Sequence, residues 1–198
     1  MKKILLTAFE PFGGLDLNSS AMVLEKTEFK DRPGIITKMT LPVLYASAFE
    51  LLKKKIIRLK PDVVVCMGQA GGRKKISIER IAVNINSGAI PDNEGIIKTD
   101  ELIVHGGPEA YFTTLPYERM LSPSGDSAAL SYSAGTYICN DLFYRLMNYI
   151  KKENLHMQGG FLHLPFTEHF GKMPYMDLEI QVRVVEAMLA VVGDYDEE

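Results

Sequence analysis

The chain has 198 residues, 46% of them hydrophobic, and a formal net charge of −3. That content suits one packed globular domain over 1–198, and the mild acidity excludes the basic footprint of a nucleic-acid binder. Two cysteines without framework spacing exclude a disulfide-stapled fold, and no run approaches the roughly 20 apolar residues of a membrane span.

The first apolar run, "KILLTAF" (3–9), is too short for a signal-peptide core and reads as a buried strand entering the loop "EPFGG". The glycine pair at 13 and 14 lacks the following lysine and the spacing of a phosphate loop. Asn18 or Ser19 caps a helix running to about Lys26. "GIITKMTLPV" (34–43) reads as a second strand. The basic run "KKKIIRLK" (53–60) is the solvated face of an amphipathic helix over about 46–60, with Leu52, Ile56 and Leu59 on its apolar side and Pro61 at its end.

"PDVVVCMG" (61–68) is too short for a helix and has no polar face, which predicts a central strand covered on both sides. "ISIERIAVNI" (76–85) predicts a further strand. From 86 to about 128, Pro91, Pro108, Pro116 and Pro123 predict mostly loop with short strands. A helix over about 138–152 places Ile138, Leu142, Leu146 and Ile150 four residues apart. "GGFLHLPF" (159–166) is the last strand. The final helix, about 178–192, is capped by Asp177 and carries Ile180, Val184, Met188 and Val191 on one face. Residues 194–198, "DYDEE", read as a disordered tail. The alternation predicts a single-domain three-layer α/β/α sandwich around a largely parallel twisted sheet.

Cys66 lies mid-strand and reads as a packed small hydrophobe. Cys139, in "SAGTYICN", falls in the first turn of a helix. Unpaired amides and the positive dipole end stabilise a thiolate there, so the position predicts a pKa below about 8.5. A thiol nucleophile needs a base, and the base needs an orienting acceptor. His105, His156 and His169 lie in loops or after a helix end and read as surface residues. His163 lies inside an apolar strand and must find a hydrogen-bond partner. Glu79 lies on a strand face shared with Ile81 and Val83, where a carboxylate is costly alone. An ion pair with Arg73 is one explanation of it. A Cys-His-Glu triad explains all three residues together.

"AFEPFGG", "MGQAGGR", "ISIER", "IPDNEG", "YFTTLP", "SAGTYICN" and "GGFLHLPF" resemble, in order and over about residues 1–190, the signature blocks of the pyroglutamyl peptidase I (pyrrolidone-carboxylate peptidase) family of cysteine peptidases. The resemblance implies hydrolysis of the amide after an N-terminal pyroglutamyl residue. Cys139 would be the nucleophile, His163 the base and Glu79 the residue that orients it. It also implies a cytoplasmic homotetramer without metal or cofactor, on a fold related to nucleoside phosphorylases. A phosphorylase-like activity itself has no identifiable phosphate site to rest on. By the same resemblance Phe9, Phe12, Tyr137 and Ile138 enclose the pyroglutamyl ring and Gln69 supplies hydrogen bonds to it. A small, flat, uncharged lactam wants such an apolar clamp with few polar groups, and Phe9 and Phe12 follow the first strand, where open α/β sheets bind ligands.

Two departures from the family pattern stand out. "NSS" at 18–20 replaces an Asn-Pro-Ser, a small change because proline at the first helical position is replaceable. Ala89 stands where the family usually has an arginine thought to stabilise the oxyanion, and the loss of one such donor costs about 10²–10³ in turnover. The Cys139 amide, Arg73 or Lys75 are the candidates to compensate. Without compensation the chain would be a weakened, pyroglutamyl-peptide-binding pseudoenzyme.

Overall fold

The structure, a computed structural model, describes residues 2–28 and 36–193. The expected tail and the first two residues of the expected second strand lie outside them. Strands β1 (Ile4–Phe9), β2 (Ile36–Leu41), β3 (Val63–Gln69), β4 (Ile76–Glu79), β7 (Ala128–Ser131) and β8 (Gln158–Leu164) form one sheet in the order β2-β1-β3-β8-β4-β7. β2, β1, β3 and β8 run parallel, and β4 pairs antiparallel to β8 and parallel to β7. β5 (Ile81–Val83) and β6 (Ala110–Phe112) form a separate antiparallel pair.

Alternating side chains divide between two cores. Leu5, Val64, Cys66 and Phe161 face α2 (Ser47–Leu59) and α4 (Ile138–Lys152). Leu6, Val63, Val65, Met67 and Leu162 face α1 (Ser19–Lys26), α3 (Tyr117–Leu121) and α5 (Leu178–Gly193). β1 and β3 are buried along their whole length, which is why they read as continuous apolar runs. The expected largely parallel sheet with helices on both faces is the observed architecture.

Asn18 is the cap of α1, its side chain accepting from the Ser20 N–H at 2.9 Å. α2 ends at Lys60 in the left-handed conformation, ahead of Pro61. Other expectations are corrected. "ISIERIAVNI" is two strands in two sheets, because the chain leaves the main sheet at Arg80, whose guanidinium stacks 3.8 Å over Tyr117 and 5.4 Å over Phe112. Glu79 therefore shares no continuous strand face with Ile81 and Val83. The proline-rich region does hold short strands, β6 and the start of the edge strand β7, but it also holds α3 and a 3₁₀ turn that were not expected. In α5 the expected Val184 and Met188 are buried, the stripe continues through Val185, Leu189 and Val192, and the expected Ile180 and Val191 are only partly buried. Its first amide, Leu178 N–H, donates to Glu168 Oε2 at 2.8 Å.

Candidate active site

The expected residues converge at the carboxyl ends of β1, β3 and β8. A cavity of about 130 Å³ is lined by Phe9, Phe12, Gln69, Tyr137, Ile138, Cys139 and His163, together with Val43 and Ala134, which the sequence did not single out, and Asn18, which it read only as a helix cap. Its size suits one small ring rather than a large ligand. Phe12 and Tyr45 pack their rings against Tyr137, with centroids 6.2 and 5.7 Å away. Gln69 Oε1 accepts from both the N–H (2.9 Å) and the hydroxyl (3.1 Å) of Ser19. That engagement leaves the Gln69 amide nitrogen as the end offered to a ligand carbonyl.

Cys139 occupies the second residue of α4 and is half-buried, opening onto the cavity. Its place depends on the strand beneath. A Cβ on Gly68 would sit 2.7 Å from the Cys139 sulfur and 2.9 Å from Phe161 Cζ, so only glycine lets the helix start lie this close to β3. Gly68 pairs in register with His163 on β8. The nucleophile candidate and the imidazole thus share one end of two neighbouring strands.

His163 Nδ1 lies 2.7 Å from Glu79 Oε1. An ionised carboxylate can only accept, so Nδ1 carries the hydrogen and Nε2 is left as the basic nitrogen. Glu79 is fully buried and sits outside the cavity wall, behind His163. Its Oε1 also accepts from Arg73 Nη1 at 2.7 Å, so the ion pair and the triad partner are both present. His105, His156 and His169 are exposed, as their settings predicted.

The thiol differs from expectation. Burial pushes Cys139 up to about 12, and the charge of Glu79 acts the same way, against Arg73 and the residue's own backbone N–H. The helix start alone therefore does not supply a resting thiolate, because desolvation outweighs the dipole. Burial also holds His163 below its ordinary value, despite the hydrogen bond it donates to Glu79, which raises it. In both groups burial disfavours the charged form, so a proton passing from sulfur to Nε2 would move as the sulfur attacks.

Two clusters missed by the sequence reading hold the walls in place. Asn140 and Asp141, directly after Cys139, clamp the chain that follows β5. The Asn140 side chain accepts from Val83 N–H (2.9 Å) and donates to the carbonyls of Val83 (2.9 Å) and Ile85 (3.0 Å). Asp141 accepts from Asn86 Nδ2 at 2.8 Å and from Arg145 Nε at 2.9 Å. The loop 91–95 is the second. Asn93 donates to Glu10 Oε1 (2.8 Å), to the Pro11 carbonyl (3.0 Å) and, from its backbone, to Val43 (3.0 Å). Tyr137 donates its hydroxyl to the Pro91 carbonyl at 2.8 Å. This loop therefore ties together the segments bearing Phe9, Phe12, Val43 and Tyr137. Its Pro-Asp-Asn turn chemistry was the available signal.

Ala89 is exposed, between Gly88, which packs against Tyr137, and Ile90, which lies beside Gly13. Of the cations considered as substitutes, Arg73 is bound to Glu79 and to the Ser133 carbonyl (3.2 Å), and Lys75 lies 3.5 Å from Asp126. Among the described residues no helix is long and apolar enough to cross a membrane.

A family model described as pyroglutamyl peptidase matches residues 2–195. The pyrrolidone-carboxylate peptidase of Bacillus subtilis (strain 168) is 40% identical over 204 aligned residues, covering 100% of this chain and 95% of that protein. That of Brachyspira hyodysenteriae is 40% identical over 194, covering 94% and 96%. Among solved structures, pyroglutamyl peptidase I from Bacillus amyloliquefaciens matches with a TM-score of 0.92 at 37% identity, over 98% of this chain and 96% of that one. Pyrrolidone carboxyl peptidase from Thermococcus litoralis matches with 0.89 at 36% identity, over 98% and 94%.

Proposed function

The chain belongs to the pyroglutamyl peptidase family, and from that premise we propose that it removes N-terminal pyroglutamyl residues from peptides with a Cys139-His163-Glu79 triad. The observation that carries this reading is the meeting of Cys139 and a Glu79-bonded His163 on one small, aromatic-lined cavity. The ring enters between Phe9, Phe12, Tyr137 and Ile138, with its lactam carbonyl facing the Gln69 amide nitrogen. Cys139 Sγ attacks the scissile carbonyl carbon while His163 Nε2 takes the thiol proton. Glu79 holds the Nδ1 hydrogen and stabilises the imidazolium so formed. The oxyanion develops beside the unpaired amides that open α4, the Cys139 N–H among them. His163 then returns the proton to the leaving amine, which leaves a pyroglutamyl thioester on Cys139. Water activated by His163 hydrolyses the thioester, releasing pyroglutamate and the free thiol.

The same reading carries a cytoplasmic homotetramer that needs no metal or cofactor. Release of a fluorophore from a pyroglutamyl amide, run beside the matching unblocked glutamyl amide, tests the function. Turnover of the first alone is expected, and equal turnover of both would refute the lactam pocket.

Ala89 sustains a second reading, an enzyme weakened at the oxyanion, because Arg73 and Lys75 both have other partners. An interaction made only in the transition state raises kcat and leaves KM nearly unchanged. Ala89→Arg is accordingly expected to raise kcat about 10-fold at similar KM, measured by steady-state kinetics. A wild-type kcat within about 1–10³ s⁻¹ and no gain from Ala89→Arg would show that the helix-start amides suffice.

A further inference from the structure

We propose that Arg73 is a positioning residue for the reaction: its guanidinium shares the Glu79 oxygen that receives His163, sets a positive charge against that carboxylate, and keeps His163 available as a base near neutral pH. The inference rests on the triad reading above and extends it by one residue.

Glu79 has no exposed surface, and a carboxylate in such a place needs compensation. Its Oε1 receives both His163 Nδ1 and Arg73 Nη1, each at 2.7 Å. Its other oxygen is buried without a hydrogen-bond donor among the described residues. The second arm of the guanidinium donates to the Ser133 carbonyl, in the segment that leads into α4 and Cys139. One side chain thus ties β4 to the approach of the nucleophile.

The electrostatic consequence follows from the sign of each charge. A buried carboxylate without a counter-charge would strengthen the proton affinity of the imidazole it touches. An imidazole that is already protonated cannot take the thiol proton. The Arg73 charge opposes Glu79 at His163 and also favours ionisation at Cys139. The charged or titratable groups acting on His163 are Glu79 from β4 and Arg73 from the loop after β3, with the Cys139 thiol facing the same cavity from α4. Its ring neighbour Phe161 and its register partners Gly68 and Ser77 carry no charge. Without Arg73, the His163 imidazole beside Glu79 would take up its proton at higher pH.

The test is the pH profile of kcat/KM on a pyroglutamyl amide for wild type, Arg73→Met and Arg73→Lys, with thermal melts to establish folding. A unit charge two hydrogen bonds away in a partly buried site moves the acid limb by about one pH unit or more. Arg73→Met is expected to shift that limb upward by this amount, so activity falls about tenfold or more on the acid side and recovers as pH rises. Arg73→Lys keeps the charge and should restore the wild-type limb. If Arg73→Met does not fold, Arg73→Gln keeps hydrogen-bond donors without the charge and should show the same shift. Proton NMR of the His163 imidazole in a Cys139→Ala background should move in the same direction. A folded Arg73→Met or Arg73→Gln protein with an unmoved acid limb, or a shift that Arg73→Lys does not reverse, overturns the proposal. Wild-type protein without pyroglutamyl amidase activity, or activity that survives Cys139→Ala, overturns the triad reading beneath it instead.

Discussion

Cys139→Ala is expected to lower hydrolysis of a pyroglutamyl amide by at least about 10⁴-fold, with the fold and the binding of pyroglutamate retained. In the proposed mechanism the sulfur is the atom that forms the thioester, and of the two thiols only Cys139 lines the cavity. The other cysteine, Cys66, is fully buried in β3 and packs in the core between the sheet and α2 and α4. Burial pushes it up to about 12 as well, and nothing offers it a base. Cys66→Ala should therefore cost about 1–2 kcal/mol as a small cavity, seen as a Tm lower by a few degrees, with kcat unchanged. Steady-state assay and thermal melting of the two variants side by side separate chemistry from packing. Full activity in Cys139→Ala would end the nucleophile assignment.

Gly68→Ala should be the most damaging change at a residue that touches no substrate atom. Its new Cβ would lie 2.7 Å from the Cys139 sulfur and 2.9 and 3.1 Å from two carbons of the Phe161 ring. Phe161 has no room to retreat, being fully buried with its ring 4.9 Å from that of His163 and 6.2 Å from that of Phe143. The sulfur must move instead. A displacement of about 1 Å at a reacting atom costs about 10² in rate, and the overpacking adds about 1–3 kcal/mol of instability. Gly159→Ala is the control, because its Cβ would strike Ile150 at 2.7 Å, behind the core and away from the cavity. It should destabilise comparably while kcat is preserved. Equal kcat losses in the two variants would mean that Gly68 acts through stability alone.

The sequence made the local parts of this arrangement readable for identifiable reasons. β3 and the start of α4 were legible because burial on both faces of a strand, and four-residue spacing on a helix, are written in apolar patterning. Glu79 and His163 stood out because each is a polar group in an apolar strand, and in three dimensions they hydrogen-bond to each other; Cys139 stood out by its place at a helix start. The break at Arg80 was not legible. Alternation continues unbroken through "ISIERIAVNI", and what turns the chain is a stack of Arg80 on Tyr117 and Phe112, the latter about thirty residues away. β7 is an edge strand only four residues long, too short to show a period. The clamps made by Asn140, Asp141 and Asn93 join segments far apart in sequence, so no local pattern marks them. The charge state of Cys139 was misread for a related reason. A helix position can be read from the chain, whereas the burial that overrides its dipole is a property of the assembled site.

The proposed mechanism stands or falls on Cys139, which faces the cavity, being the reacting thiol. Brief alkylation with iodoacetamide followed by peptide mapping, with and without saturating pyroglutamate, tests it most directly. Label is expected on Cys139 and not on Cys66, with activity lost in step with labelling and both effects slowed by pyroglutamate. Because burial pushes the Cys139 thiol up, the labelling rate should rise about tenfold per pH unit between about pH 7 and 9, without a plateau near neutrality. Inactivation with Cys139 unmodified, or labelling of Cys139 at a rate indifferent to pyroglutamate, would contradict the account.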